Sequence, residues 1–153
     1  MSISASVRGL TIVVLLVAAL PASAEDAVVA RRTLDSTIRD YVGLYGSDTL
    51  AQWKQLFHPQ LTVVFPDADG AIVARNLEQF YAAQASYLPT HKQVSERLEN
   101  VRIDEGRRIA RVSADFVFVD AGVEARGKLG LQLVEGSEGW TIVAIVFSYD
   151  AAD

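Results

Sequence analysis

The sequence predicts an α+β domain in which three N-terminal helices pack on a curved, mainly antiparallel sheet. Two observations support this fold class. Apolar residues recur at helical spacing in the first part of the chain from residue 34 onward, whereas they alternate with polar residues along most of the second part. Turn sequences that contain glycine separate the alternating segments, which is typical of antiparallel strands joined by hairpins. We therefore expect a single domain without internal repeats or linkers.

Three helices are expected before the long strands. The first is indicated by one apolar face, formed by Leu34, Ile38, Tyr41, Val42 and Tyr45. The second is predicted to begin after Ser47 and Asp48, which are suitable capping residues, and to end at Pro59. Its apolar face is formed by Leu50, Trp53, Leu56 and Phe57. The third is predicted to begin at the capping residue Asn76 and to carry Leu77, Phe80, Tyr81, Gln84 and Leu88.

One short strand and four long ones are expected. The short strand, Leu61 to Phe65, is closed by the turn sequence of residues 66–70, and a brief extended piece follows at residues 71–73. The long segments form a predicted antiparallel meander with the bounds Val94–Ile103, Arg108–Val119, Glu124–Val134 and Trp140–Tyr149.

The last strand is apolar on both of its alternating faces. One face carries Val143, Ile145, Phe147 and Tyr149, and the other carries Trp140, Ile142, Ala144 and Val146. One face is expected to pack on the helices, so the apolar side chains of the other face have to be buried against a different surface. The sheet of a second copy is the simplest such surface, and we expect a homodimer formed through the sheet.

Residues 1–24 have the layout of a secretory signal peptide. Arg8 precedes an apolar run at residues 10–20, and small residues lead to Ala24 immediately before Glu25. The run is shorter than the about 20 apolar residues that a membrane-spanning helix needs. The sequence thus predicts cleavage after Ala24, a mature domain at residues 25–153 that is periplasmic or secreted, and no stable membrane anchor after cleavage.

Charge and composition exclude several classes of function. Removal of Arg8 with residues 1–24 changes the formal net charge from −5 to −6, and nucleic-acid binding is not expected of so acidic a chain. The chain has no cysteine, which excludes disulfides and thiolate chemistry.

Three segments resemble the nuclear-transport-factor-2-like superfamily, and within it the SnoaL-like and putative lumazine-binding branches. They are Leu56-Phe57-His58-Pro59, Thr62-Val63-Val64-Phe65-Pro66 and Gly139-Trp140-x-Ile142. The resemblance extends from about Leu34 to Asp150 and implies a cone-shaped α+β barrel with a pocket at its open end. Members of the superfamily include isomerases, cyclases, dehydratases and binding domains, so the fold leaves the function open.

Comparison with the ketosteroid isomerases of this superfamily indicates no isomerase site. Tyr41 matches their tyrosine in the first helix. The resemblance places Phe65 where these enzymes have an aspartate base, and places Leu129-Gly130-Leu131 where they have a second acid. A proton cannot be moved between carbons without a base within hydrogen-bonding distance. Whether the chain catalyses any reaction is left open by the sequence.

Four further residues are candidates for a site. His58 lies at a predicted helix-to-strand corner, where it either stabilises the corner or acts as an acid or base. Asp67 and Asp69 begin like a calcium loop, but the glycine that such a loop needs is Ile72 here, so they are expected to be turn residues. His91 is expected on a loop surface, and a position at the pocket mouth is the alternative. Neither histidine has zinc-ligand spacing, and no metal or cofactor is predicted.

Asp115 is the acid in the middle of a predicted core strand, on the face opposite Phe116 and Phe118. A pairing on the outer face or in the dimer interface is favoured over a role as a catalytic base, and Arg111 lies four residues away on the same face.

A mainly apolar pocket is expected between the first helix and the sheet. Its predicted ligand-binding residues are Tyr41, Phe65, Phe116, Phe118, Leu131, Phe147 and Tyr149. Apolar walls with few polar groups favour the binding of a small apolar or aromatic molecule. Two alternatives are a lyase, isomerase or cyclase that uses Tyr41 and His58, and a protein-interaction domain with a vestigial pocket.

Overall fold

A computed structural model describes residues 31–150 of the chain. The predicted signal peptide lies outside the described residues. The α+β class is confirmed, since helices cover one face of a single curved, six-stranded sheet. Along the sheet the strand order is β2-β1-β6-β5-β4-β3, with the bounds given below. The first and last strands of this order do not pair with each other, so the sheet of the described residues does not close into the expected barrel.

The helices are α1 (Leu34–Gly43), α2 (Leu50–Lys54) and α3 (Leu77–Tyr87), which continues into a short 3-10 helix at Leu88–Thr90. Helix α1 begins after Thr33, whose hydroxyl oxygen accepts a hydrogen bond from the Ser36 backbone amide. Helix α3 begins with the predicted cap, because the Asn76 side chain accepts from the Gln79 amide and the Gln79 side chain accepts from the Asn76 amide.

Helix α2 is much shorter than predicted, and its N-cap is Thr49 rather than Ser47 or Asp48. The chain leaves the helix at Gln55, and the Leu56 carbonyl accepts a hydrogen bond from the Ile142 amide of the last strand. Strand pairing therefore overrides the helical periodicity of the sequence here. As a result, His58 lies within a strand and not at a helix end.

The strands are β1 (Phe57–Pro66), β2 (Ile72–Asn76), β3 (Val94–Glu105), β4 (Ile109–Asp120), β5 (Val123–Gly136) and β6 (Gly139–Tyr149). Strands β3 to β6 form the predicted antiparallel meander. Strand β1 pairs with β2 in antiparallel and with β6 in parallel orientation. The β4–β5 turn is tight because Ala121 and Gly122 both adopt positive φ, at 49° and 85°.

A bulge in β6 changes which of its residues share a face. Ile142 pairs with Leu133 and Ala144 pairs with Gln132, so Val143 is an extra residue between the two pairs. Trp140 and Ile142 therefore join Ile145 in the core, contrary to the strict alternation assumed from the sequence. The outer face of β6 is correspondingly less apolar than predicted.

The outer face of the sheet still exposes three large apolar side chains: Ile109, Val134 and Val146, which are 62%, 36% and 55% exposed. Further along the same face, Val117 is completely buried between Arg97 and Arg126, its partners on the neighbouring strands. Among residues 31–150, no helix is long and apolar enough to cross a membrane.

Candidate functional site

A cavity of about 330 Å³ opens between the helices and the inner face of the sheet. This volume is at the lower end of the range found for small-molecule sites. Its lining comprises Tyr41, Tyr45, Trp53, Phe80, Ala83, Gln84, Tyr87, Glu96, Phe116, Phe118, Leu129, Phe147 and Tyr149. Aromatic rings dominate this set, and the carboxyl of Glu96 is the single charged group in it.

Trp53 forms the rigid centre of the helical wall. Its ring lies 6.0 Å from that of Tyr41, 5.2 Å from Tyr45 and 5.5 Å from Phe80, measured between centroids. The indole nitrogen donates a hydrogen bond of 2.7 Å to the Tyr41 carbonyl oxygen, which fixes the ring in place. Helix α2, although short, thus serves to hold one aromatic side chain against the cavity.

The sheet wall depends on a glycine. Phe116, Gly127 and Tyr149 are neighbours across β4, β5 and β6, and the Phe116 and Tyr149 rings meet edge to face at 5.1 Å. A Cβ atom on Gly127 would collide with the Ser148 carbonyl oxygen and the Phe116 ring. The absence of a side chain at this position lets the Phe116 ring lie across β5, where it shapes the cavity wall.

Glu96 of β3 faces the inside of the sheet. It pairs with Phe118 in the strand register, and Val94 and Leu98 share its face. The side chain is half-buried, and among residues 31–150 it has neither a hydrogen-bond nor a salt-bridge partner. Burial raises the pKa of this carboxyl to about 7, because a charged group loses hydration in such a site. Near neutral pH it is therefore present in both protonation states.

Three tyrosines respond electrostatically to Glu96. Burial, and then the Glu96 charge, raises the pKa of Tyr41 and of Tyr45, and the same two causes raise the pKa of Tyr149. All three phenols therefore stay neutral at physiological pH and keep a hydroxyl hydrogen that can be donated. The Tyr45 hydroxyl donates to the side-chain oxygen of Gln84.

Tyr87 connects the cavity to a polar cluster at its edge. The Tyr87 hydroxyl donates to Asp120 at 2.6 Å, and its ring stacks on that of His91 at 3.8 Å between centroids. The His91 Nε2 atom lies 3.7 Å from the same Asp120 carboxylate. Burial and then the bond to Asp120 raise the pKa of Tyr87 to about 12. His91 therefore supports a cavity residue, although it does not itself line the cavity.

Five of the residues expected in the pocket wall line this cavity: Tyr41, Phe116, Phe118, Phe147 and Tyr149. Phe65 lies behind the wall, where its ring stacks on Phe147 at 4.8 Å. Leu131 is fully buried in the core, and Leu129, two residues earlier on the same face, occupies the wall instead.

His58 lies outside the cavity. Its side chain is exposed on β1, and its Nδ1 atom accepts a hydrogen bond of 3.1 Å from the Gln60 amide. The structure therefore does not bring His58 and Tyr41 together, as the predicted acid–base pair requires. Across residues 31–150 there is no cluster of three or more His, Cys, Asp or Glu side chains that could hold a metal ion.

Asp67 and Asp115 have local polar partners. The Asp67 carboxylate accepts from the Asp69 and Ala71 amides, as expected of a turn residue. Asp115 lies on the outer face as predicted, but its partners are Lys128 at 2.6 Å and Asn100 at 2.7 Å, and not Arg111.

Glu96 was not recognised from the sequence, although a signal was present. Along β3 the inward positions read Val94, Glu96 and Leu98, with polar residues between them. A carboxyl in an otherwise apolar row indicates a functional position. The sequence also did not predict that the cavity is lined by Tyr45, Trp53 and Gln84. These residues come together only because of the way in which the helices cross the sheet.

Residues 30–148 match the sequence model of a protein family described as putative lumazine-binding. This match spans most of the chain. The chain belongs to the putative lumazine-binding family. No curated protein matches the chain.

The fold of this chain also occurs in solved structures of other proteins. An NTF2-like protein of unknown function from Shewanella baltica OS155 superposes with a TM-score of 0.61 at 15% identity, covering 77% of this chain and 91% of that one. For an uncharacterised protein with a cystatin-like fold from Caulobacter vibrioides, the TM-score is 0.62 at 17% identity, with 78% and 88% covered.

A protein described as a putative scytalone dehydratase from Novosphingobium aromaticivorans DSM 12444 superposes with a TM-score of 0.64 at 14% identity, covering 76% of this chain and 81% of that one. Likeness at such low identity extends to the fold alone. The chain thus has an NTF2-like fold, and sites of many different functions occur on one fold.

Proposed function

We propose that this domain binds a small, largely aromatic molecule in the cavity, with Glu96 and Tyr41 as its main polar contacts. The observation that carries the proposal is an open, aromatic-walled cavity that contains one carboxyl group without a partner among residues 31–150. The description of the family as lumazine-binding supports it, since lumazine is a flat, bicyclic heteroaromatic molecule.

The chemistry of the wall fits such a ligand. Flat rings gain dispersion and stacking energy against Trp53, Phe80 and Phe116, and little side-chain rearrangement is needed because each of these rings already packs on a neighbouring aromatic ring. The Tyr41 hydroxyl and the Glu96 carboxyl offer directional contacts that fix the ligand's orientation. An open cavity favours this reading over an interaction domain whose pocket is vestigial.

Two adjacent alanines of α3 allow a matched test. Ala83 lines the cavity, whereas Ala82 is exposed. We expect Ala83→Leu to fill part of the cavity and to abolish binding, while Ala82→Leu leaves binding unchanged.

Binding is measured by thermal shift and by quenching of Trp53 fluorescence in a Trp140→Phe background, with lumazine and a panel of small aromatic compounds. At a ligand concentration of 100 times Kd, stabilisation of about 2.7 kcal/mol is expected. Failure of every compound in both measurements contradicts the proposal.

A second candidate function is acid–base catalysis on a bound ligand, of the lyase, isomerase or cyclase type. It is favoured by the pKa of Glu96, about 7, because a group that titrates near neutrality is an effective proton carrier. In this candidate mechanism Glu96 acts as the acid or base together with Tyr41, in place of the His58 that was considered from the sequence. Turnover of any bound compound, followed by NMR, is expected to be lost in Glu96→Gln and retained in His58→Ala. The reverse pattern contradicts this candidate.

We further propose that the domain is exported after cleavage at Ala24 and that it forms a homodimer through the outer face of the sheet. The apolar run of residues 10–20 supports export, and Ile109, Val134 and Val146 support the dimer. Export is tested by the N-terminal sequence of the protein recovered from a periplasmic fraction, which is expected to begin at Glu25.

A further inference from the structure

Glu96 is an acidic group in a cavity to which residues 31–150 contribute no basic side chain. The side chains that line the cavity together with it include Tyr41 and Tyr45 from the α1 side, Gln84 and Tyr87 from α3, Phe118 from β4 and Tyr149 from β6. None of the residues that line the cavity is Lys, Arg or His. When Glu96 ionises, its charge is therefore not balanced by any cavity residue within the part of the chain that the structure describes.

We propose that the cavity selects cationic ligands, namely small molecules with a quaternary ammonium or a protonated amine that lies between Glu96 and the aromatic rings. This inference rests on the proposed function, since it names the ligand class for the same site. It goes beyond that function because a neutral aromatic ring alone does not satisfy it.

Two features of the cavity attract a cation in addition to the carboxylate. The faces of tryptophan, tyrosine and phenylalanine rings carry negative electrostatic potential, and a cation within about 6 Å of a ring centroid is attracted to it. Trp53, Tyr45 and Phe80 all line the cavity and pack against one another, so they present one continuous aromatic wall to a ligand group. The chain is also acidic overall, with a formal net charge of −5, and such a field favours the approach of cations.

Binding of a cation to Glu96 has a predictable pH dependence. Only the ionised carboxylate forms an ion pair, and burial holds the pKa of Glu96 at about 7. The four tyrosines that line the cavity with it have raised pKa values and stay neutral over this range, and Gln84 does not titrate. The affinity for a permanent cation should therefore rise about tenfold from pH 6 to pH 8, because apparent affinity follows the competent fraction. A neutral ligand that accepts a hydrogen bond from the protonated carboxyl shows the opposite trend.

The experiment compares choline with 3,3-dimethylbutan-1-ol, in which a neutral carbon replaces the charged nitrogen, and uses benzyltrimethylammonium as a larger probe. Dissociation constants are measured by Trp53 fluorescence and calorimetry at pH 6, 7 and 8. We expect the cations to bind at least tenfold tighter than the alcohol at pH 8. Glu96→Gln is expected to remove this preference, whereas Glu105→Gln, an exposed glutamate on the same strand, retains it.

The outcomes separate this inference from the proposed function. Equal binding of choline and its carbon isostere, or affinity that falls as pH rises, overturns the inference. So does failure of the cations when neutral aromatic compounds bind and Ala83→Leu blocks them, a result that leaves the proposed function standing. Failure of all compounds overturns both. The pH series on the unaltered protein decides the matter even if Glu96→Gln does not fold.

Discussion

At the scale of single residues, Glu96 controls both the chemistry of the cavity and the stability of the domain near it. A half-buried carboxyl without a partner among residues 31–150 favours its protonated form, so the folded state holds a proton more tightly than the unfolded state does. The same property makes Glu96 available to a ligand. If the proposed function holds, the protein loses some stability in its free state and gains affinity for a ligand at this position.

Stability is expected to fall as pH rises from about 4.5 to about 7. The folded pKa of Glu96 is raised from 4.5 to about 7, so within this window the unfolded state has lost the proton that the folded state retains. Below the window both states are protonated, and above it both are ionised, so the contribution is constant there. The shift corresponds to a loss of at most about 3 kcal/mol.

This loss is measured by urea unfolding at several pH values for the unaltered protein and for Glu96→Gln. The difference in unfolding free energy between the two proteins should change across the window, in favour of the glutamine variant at pH 8. Glu105→Gln serves as the control, since an exposed carboxyl should give no such change. A pH-independent difference for Glu96→Gln would show that the carboxyl is not desolvated.

At the scale of secondary-structure elements, Gly127 of β5 is expected to be far less tolerant of substitution than its neighbour Gly130. A methyl group at Gly127 collides with backbone and with the Phe116 ring, whereas the nearest atom to a methyl at Gly130 is the Val146 carbonyl oxygen at 3.8 Å. We expect Gly127→Ala to cost about 1–3 kcal/mol of unfolding free energy and to weaken ligand binding. Gly130→Ala should be nearly neutral in chemical denaturation, and equal costs for the two variants contradict this account.

The capping box of α3 gives a second prediction at this scale. Asn76→Ala removes the acceptor for the Gln79 amide and should lower the unfolding free energy by about 1 kcal/mol. Because α3 carries Phe80, Ala83 and Gln84 into the cavity, a frayed first turn should also weaken binding slightly. Both effects are measurable by denaturation and by the fluorescence titration. Asn76→Asp, which keeps an acceptor, is the control and should retain most of the stability.

The elements also show what sequence periodicity can and cannot predict. The meander and the cap at Asn76 were predicted correctly, because hairpin turns and helix caps are local features. The end of α2 and the inner face of β6 were predicted incorrectly. In the first case a hydrogen bond from Ile142 draws Leu56 out of the helix, and in the second the bulge at Val143 reverses the alternation. Both are effects of strand pairing between distant segments, which a local pattern does not contain.

At the scale of the whole molecule, the outer face of the sheet has two unlike parts. Arg97 and Arg126 each contact both Glu99 and Glu124, which forms a closed ring of ion pairs around the buried Val117. Exposed ion pairs of this kind add little stability, but they keep that part of the face hydrated. In the apolar part, the side chains of Val134 and Val146 are exposed, and no ring of ion pairs among the described residues surrounds them.

The proposed homodimer is therefore expected to involve the apolar part and not the ring of ion pairs. Val146→Glu places a charge in the centre of this part, where a second copy of the sheet cannot hydrate it. We expect sedimentation equilibrium to give the mass of a dimer for the unaltered protein and of a monomer for Val146→Glu. Val123→Glu, at the β4–β5 turn and 72% exposed, should remain dimeric. A monomeric unaltered protein at micromolar concentration contradicts the dimer. Ligand binding by a monomeric Val146→Glu variant would show that the cavity is complete within one chain, as expected from its lining.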